Sequence, residues 1–402
     1  MGSSPQIDCR FFSGYKPCVK NIRCDEQCAH KDVATPRILV IHLEALGAVL
    51  RATSILPAIK RKFPKSHITW ITSPLASELL KNNSLIDRLI PNHHNGILAL
   101  RTLVFDFGFC IDKSHEAAGI LEIPKYIGES RGFGVQATTG AIIPLNIEAE
   151  RLWELGLSNH EKFLMNKNPE TRLITEALGF EWQQDEYVFD FSKEETDLCK
   201  NLRTDMGISK TETVIGLNTG CSGMLPHKKL TVEGWVKLTI QMSERFSTVR
   251  FLLLGGPEDT ERNLEIKNKL MPLGERVLLT PTTDGLRKGM SYVSMTDLVV
   301  TGDSLGMHMA IALKKYVVAW FGPSCLHEID FYGRGEGIKT ESPCAPCWKR
   351  ECSKPLMCYN NVSFDKLIAA VERGLLASKK EKQPVSKRIL QVDAKLELGE
   401  TP

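Results

Sequence analysis

From residue 213 onward the chain repeats one unit: a short apolar run rich in β-branched residues, a turn, then a segment with helical periodicity. Thr213–Asn218, Val249–Leu254, Arg276–Leu279, Asp297–Val300 and Tyr316–Phe321 read as strands, with helices at Val232–Phe246, Glu258–Leu270, Leu286–Ser294 and Ser304–Leu313. Apolar strands separated by helices pair in parallel and bury both faces, so an α/β sheet covered on both sides is expected. The same alternation opens the chain. Arg37–His42 (RILVIH) reads as a strand, followed by a turn at Gly47 and a helical pattern to Phe63 that Pro57 interrupts. Strand His67–Thr72, a helix around Ala76–Asn82 and strand Leu103–Ile111 follow.

Between Leu152 and Thr211 the pattern turns polar and less periodic, so the expected organisation has four parts. These are a cysteine-rich segment 1–36, α/β domains over 37–208 and 209–375, and a polar basic tail 376–402, the tail expected to be mobile on composition. Ser363–Leu376 reads as a last amphipathic helix. Lys and Arg exceed Asp and Glu by 51 − 48 = 3, which is too little for a nucleic-acid footprint and allows only mild attraction to an anionic membrane surface. No run of about 18 apolar residues and no apolar signal core is present, so a cytoplasmic location is expected.

Three strand ends carry polar or glycine-bearing turns: Asn218-Thr219-Gly220, Gly255-Gly256-Pro257-Glu258 and Gly302-Asp303-Ser304-Leu305-Gly306. Glycine lets a ligand approach the backbone, and a helix starting just after presents free N–H groups to a phosphate. Together the turns describe a nucleotide diphosphate pocket, although each alone also suits an ordinary β-α turn. None matches G-x-G-x-x-G or a Walker loop. His227-Lys228-Lys229 lies between Asn218 and the next helix, where an ammonium reaches a diphosphate at the same sheet edge; a solvated lysine pair is the plainer reading.

At these segments the chain resembles the glycosyltransferase family 9 heptosyltransferases over about residues 37–372. The resemblance rests on RILVIHLEALGAVLRATSILPAIKRKFP, NTGCSGMLPHKKL, LLLGGPED and DLVVTGDSLGMHMAIAL followed by VVAWFGPS, in that order. It implies a GT-B fold of two facing Rossmann-like domains with a cleft between them, and an ADP-heptose donor. It also implies that Lys228 binds the donor diphosphate, Glu258 the ribose, and Asp303, Ser304, Leu305 and Gly306 the phosphates at a helix start. The family pattern more often places its glycine ahead of the leucine, whereas here Leu305 precedes Gly306. His308 either faces this site or is satisfied within helix packing.

Inverting sugar transfer needs a base to take the acceptor hydroxyl's proton. The family places an Asp directly after the Leu/Met-Gly of its first loop, and here that position is Ala48. Glu44 is the first substitute, its other reading being a solvated loop carboxylate. Asp112 and His115, after the strand Leu103–Ile111, come next, while Asp106 within the run is expected to make a structural hydrogen bond.

Eight of the twelve cysteines fall in two groups. Cys344, Cys347, Cys352 and Cys358 lie in a proline-interrupted loop, and four thiolates suit tetrahedral zinc or iron. Heptosyltransferases that modify autotransporter proteins have a four-cysteine site in this region that holds iron, so the resemblance makes iron an alternative to zinc. Cys9, Cys18, Cys24 and Cys28 are more loosely spaced, with His30 close enough to replace one ligand. Either site would be structural, because a closed thiolate set leaves no position for substrate.

The leading expectation is an inverting glycosyltransferase moving heptose, or a similar sugar, from an ADP-sugar to a lipopolysaccharide-core glycolipid or a protein hydroxyl, with peripheral inner-membrane association, no redox cofactor and no nucleic acid. The alternative is a catalytically impaired nucleotide-sugar-binding or assembly protein of the same fold, suggested by Ala48. A zinc-dependent nucleic-acid binder is a third reading, disfavoured by the near-neutral charge.

Overall fold

A computed structural model describes residues 6–381 except 13, 15, 19 and 21. The chain divides into two compact units, one of residues 1–194 with 327–330 and the other of 195–326 with 331–402. The division falls ahead of the expected boundary at 208/209. The helix Lys193–Asp205 is anchored in the second unit: the Arg203 guanidinium bonds Met295 O and Glu212 O, and Glu195 pairs with Arg287.

The first unit is built on β1 (Arg37–Ile41), β2 (His67–Thr72), β3 (Arg88–Pro91), β4 (Val104–Phe105), β5 (Phe107–Cys110), β6 (Lys125–Tyr126), β7 (Ser130–Val135) and β8 (Ile142–Pro144). Six of these form one sheet in the order β3-β2-β1-β5-β7-β8, parallel except for the β7–β8 pair, and β4 and β6 pair separately. Alternation along β1 explains its central place. Ile38 and Val40 pack in one core cluster, Leu39 and Ile41 in another, and both faces are closed. The expected strand Leu103–Ile111 breaks at Asp106, whose Oδ2 accepts the Arg37 N–H at 2.6 Å and whose N–H bonds the Arg37 carbonyl. Asp106 thus has the structural role expected of it. The helical pattern after Gly47 resolves into Leu46–Ala52 and Ile55–Lys62.

The second unit carries β9 (Thr213–Asn218), β10 (Val249–Leu254), β11 (Val277–Leu279), β12 (Leu298–Gly302), β13 (Tyr316–Phe321) and β14 (Gly335–Lys339), all parallel, in the order β11-β10-β9-β12-β13-β14. Trp235, Phe251, Leu298 and Trp320 anchor its core. The order reverses at β9, so β10 and β12 leave it on opposite sides, and the carboxyl edge there is the place where a parallel sheet takes a ligand. The last helix runs Phe364–Glu381, so 376–381 are helical rather than part of a tail, and 382–402 lie outside the described residues. Among the described residues no helix is long and apolar enough to cross a membrane.

Candidate active site

In the second unit the three turns singled out above meet at the carboxyl edge of β9, β10 and β12. Asn218, at the end of β9, donates through Nδ2 to Thr301 Oγ1 (3.0 Å), Ser304 Oγ (2.9 Å) and Gly220 O (3.2 Å), tying the first and third turns together. Gly306 stands in the first turn of the helix Leu305–Ala312, where a Cβ would lie 2.3 Å from Asn218 Oδ1. That contact accounts for glycine at this place, whatever precedes it. Gly302 has a similar constraint, since a Cβ there would lie 2.0 Å from the Lys228 carbonyl.

Lys228 closes the short 3-10 turn Pro226–Lys228, and its Nζ pairs with Asp303 Oδ2 at 2.5 Å. Burial works to raise the Asp303 pKa, but the charges of Lys228 and His308, the hydrogen bond from Lys228 and the nearby Ser324 hydroxyl outweigh it and hold the carboxyl below its ordinary value. His308 is buried, yet its charge acts on Asp303, so it belongs to this cluster. Ser304 and Leu305 open the helix just beyond, where the first N–H groups have no intrahelical acceptor. An ammonium and a helix start on one loop are the elements a diphosphate needs.

Glu258 sits exposed in the 3-10 turn Pro257–Asp259. Its neighbour Asp259, which the sequence reading passed over, is buried: Oδ2 accepts the Gly256 N–H at 3.0 Å, and burial raises its pKa despite that bond and the charges of Lys229 and Arg262. Thr219 Oγ1 bonds Asn263 Oδ1 at 2.5 Å beside it. The glycines of GGPED were the visible signal, and the acid four residues after Gly255 could have been read with them.

In the first unit β1 and β5 pair in register, Ile41 opposite Cys110, which brings the residues following both strands together. Asp112 Oδ2 accepts the Leu43 N–H at 3.0 Å and lies 3.4 Å from His42 Nδ1. Burial pushes the Asp112 pKa up, yet the nearness and charge of His42, the hydrogen bond from the Leu43 N–H and the nearby Ser114 hydroxyl outweigh it and bring it down to about 2. His42 was missed because nothing in RILVIH distinguishes it; only the pairing of β1 with β5 gives it a carboxylate partner. Glu44 is exposed on the loop after β1, and Ala48 is half-buried in the helix Leu46–Ala52. His115 Nε2 is engaged with Gly140 O at 2.7 Å.

None of the eight grouped cysteines, all of them described residues, is in a disulfide. The Cys358 thiol is pushed up to about 11, first by burial and then by the charges of Cys347, Cys352 and Cys344. Cys9, Cys18, Cys24, Cys28 and His30 line one small cavity, with the Gln6 N–H donating to Cys24 Sγ (3.2 Å) and the Asp32 N–H to Cys9 Sγ (3.4 Å). Among the described residues no three His, Cys, Asp or Glu side chains stand in a ready metal-holding arrangement.

Residues 168–357 match the sequence profile of glycosyltransferase family 9 (heptosyltransferase). No curated protein matches the chain in sequence. Among solved structures, a family 9 glycosyl transferase from Veillonella parvula is similar with a TM-score of 0.64 and 18% identity, over 86% of this chain and 99% of that one. The Escherichia coli ADP-heptose lipopolysaccharide heptosyltransferase II gives 0.63 and 16%, over 85% and 99%. The iron-containing dodecameric glycosyltransferase TibC of enterotoxigenic Escherichia coli gives 0.52 and 10%, over 86% and 77%. The family 9 sequence profile on residues 168–357, which carry Lys228 and Asp303, and a fold shared with family 9 enzymes across most of the chain together indicate a glycosyltransferase.

Proposed function

We propose that the protein transfers heptose or a similar sugar, with inversion, from an ADP-sugar to a hydroxyl of a lipopolysaccharide-core glycolipid or a protein. The observation that carries this reading is the Lys228–Asp303 pair at the start of the helix Leu305–Ala312. In the reaction the acceptor oxygen attacks the anomeric carbon opposite the diphosphate. The bond from that carbon to the β-phosphate oxygen breaks with its electron pair going to ADP, and the acceptor proton passes to a base. Charge grows on the leaving diphosphate, which the Lys228 ammonium and the N–H groups of Leu305 and Gly306 are suited to balance. Glu258 takes the ribose from its exposed turn.

Asp112 takes the proton, directly or through His42, because it is held as a carboxylate at the end of a central strand. Glu44 is the substitute if Asp112 proves dispensable. Ala48 favours the second reading, an impaired sugar-nucleotide-binding or assembly protein. The test is titration of ADP into the full chain, followed by transfer from ADP-heptose to lipopolysaccharide-core and protein acceptors. ADP binding with transfer supports the first reading, ADP binding without transfer the second, and no ADP binding removes both.

We further infer that Cys344, Cys347, Cys352 and Cys358 hold zinc or iron, and that Cys9, Cys18, Cys24 and Cys28 hold a second ion. The donor chemistry supports this, since thiolates select these metals. The ion supplies folding energy to segments with little core of their own: none of the described residues from 6 to 33 is buried. The protein acts in the cytoplasm, meeting the inner membrane peripherally where its acceptor is a glycolipid.

A further inference from the structure

Lys228 has a second neighbour besides Asp303. Its Nζ lies 4.8 Å from the centre of the Trp348 ring, and Trp348 belongs to the loop that bears the four C-terminal cysteines. The loop is tied down at both ends. The N–H groups of Cys347 and Trp348 both donate to the Pro323 carbonyl, at 3.1 and 2.8 Å, two residues beyond β13. At the other end the Cys358 thiol reaches the His227 carbonyl at 3.9 Å, and the Tyr359 ring stacks on His227 at 6.1 Å, under the turn that carries Lys228. Trp348 adopts φ of +52°, a left-handed conformation that a bulky residue holds only where its surroundings impose it.

We propose that Trp348 is a positioning residue for Lys228, holding the ammonium between its ring and Asp303, so that the cysteine loop governs how tightly the donor diphosphate is bound. An ammonium has three N–H groups pointing in different directions. Asp303 takes one, the ring fills another side, and the remaining direction is left for an anion. Without the ring, the long lysine stem regains rotamers that do not point at a phosphate. The inference rests on the ADP-sugar reading of this site. It goes further by giving a residue outside the donor loops a part in donor affinity.

The experiment is calorimetric titration of ADP into the full-length parent, Trp348→Ala and Trp348→Phe, with a melting curve of each. Trp348→Ala is expected to bind ADP about 3- to 30-fold more weakly, the range of a partly desolvated cation–π contact, and Trp348→Phe to stay close to the parent. In a Lys228→Met background, Trp348→Ala should cost nothing further, an outcome that a purely structural role would not produce. Should Trp348→Ala fail to fold, Trp348→Leu keeps apolar bulk without a ring and is read in the same way. Parent-like ADP affinity in the ring-less variant, or an undiminished effect without Lys228, overturns the inference while leaving the donor site standing. A parent that does not bind ADP overturns the donor site itself, and the inference with it.

Discussion

His42 Nδ1 stands 3.4 Å from Asp112 Oδ2, and the same oxygen accepts the Leu43 N–H. A carboxylate beside an imidazole can take a proton itself or orient the ring that does, and both arrangements work without a carboxylate at position 48.

Asp112→Asn should lower kcat by about 10²- to 10⁴-fold, the usual weight of a general base, and leave the ADP Kd within about twofold. Steady-state kinetics paired with ADP calorimetry check this. A kcat near that of the parent would move the base to Glu44.

The pH profile separates the two routes. Because the Asp112 pKa is lowered to about 2, its carboxylate persists as pH falls until that value is approached. If Asp112 accepts the proton directly, kcat/KM should show no acidic limb from this group above about pH 4. A limb that disappears in His42→Gln would give the proton to His42.

Ala48→Asp should leave turnover within about threefold of the parent if Asp112 and His42 supply the base. A rise of tenfold or more in the same assay would show that the first loop awaits its carboxylate and that the parent is impaired.

Lys228→Met removes the ammonium paired with the largely buried Asp303, which should cost about 3–5 kcal/mol at neutral pH, read from denaturant melts. In the parent the folded-state pKa of Asp303 is lowered, so its contribution is present above the unfolded value near 4 and is lost as pH falls. In the variant burial dominates and the pKa rises. The deficit should therefore shrink as pH is lowered towards 5, where the carboxyl protonates, and a deficit independent of pH would sink this account.

Elemental analysis of protein purified under reducing conditions should find between one and two zinc or iron ions per chain, falling by about one in Cys352→Ser. Chelation should weaken ADP binding as well, because the loop that would lose its ion carries Trp348. A metal content well under one per chain would contradict the assignment.

Much of the second unit was legible in its sequence. Val249–Leu254, Leu286–Ser294 and Tyr316–Phe321 begin and end where the apolar periods do, since a strand or helix buried in a parallel sheet shows its burial in its own residues. The short strands β3, β8 and β14 escaped notice: four, three and five residues long and only partly buried, they become strands by pairing with a neighbour. Lys228, Asp303 and Gly306 were marked by their turns, whereas Asp259, signalled only by the glycines of GGPED, is packed against Gly220 by the tertiary fold.

The sequence by itself determined the alternation of strand and helix, the glycine turns at the strand ends and the two cysteine groups, because each is written in residue type and local spacing. Only the tertiary structure decided that His42 meets Asp112, that Trp348 covers Lys228, and that Gly302 must be bare for the Lys228 turn to pass. Those pairs lie 70, 120 and 74 positions apart in the chain. Which residues end side by side is set by strand order and register, and these follow from how the whole set of apolar faces is buried at once.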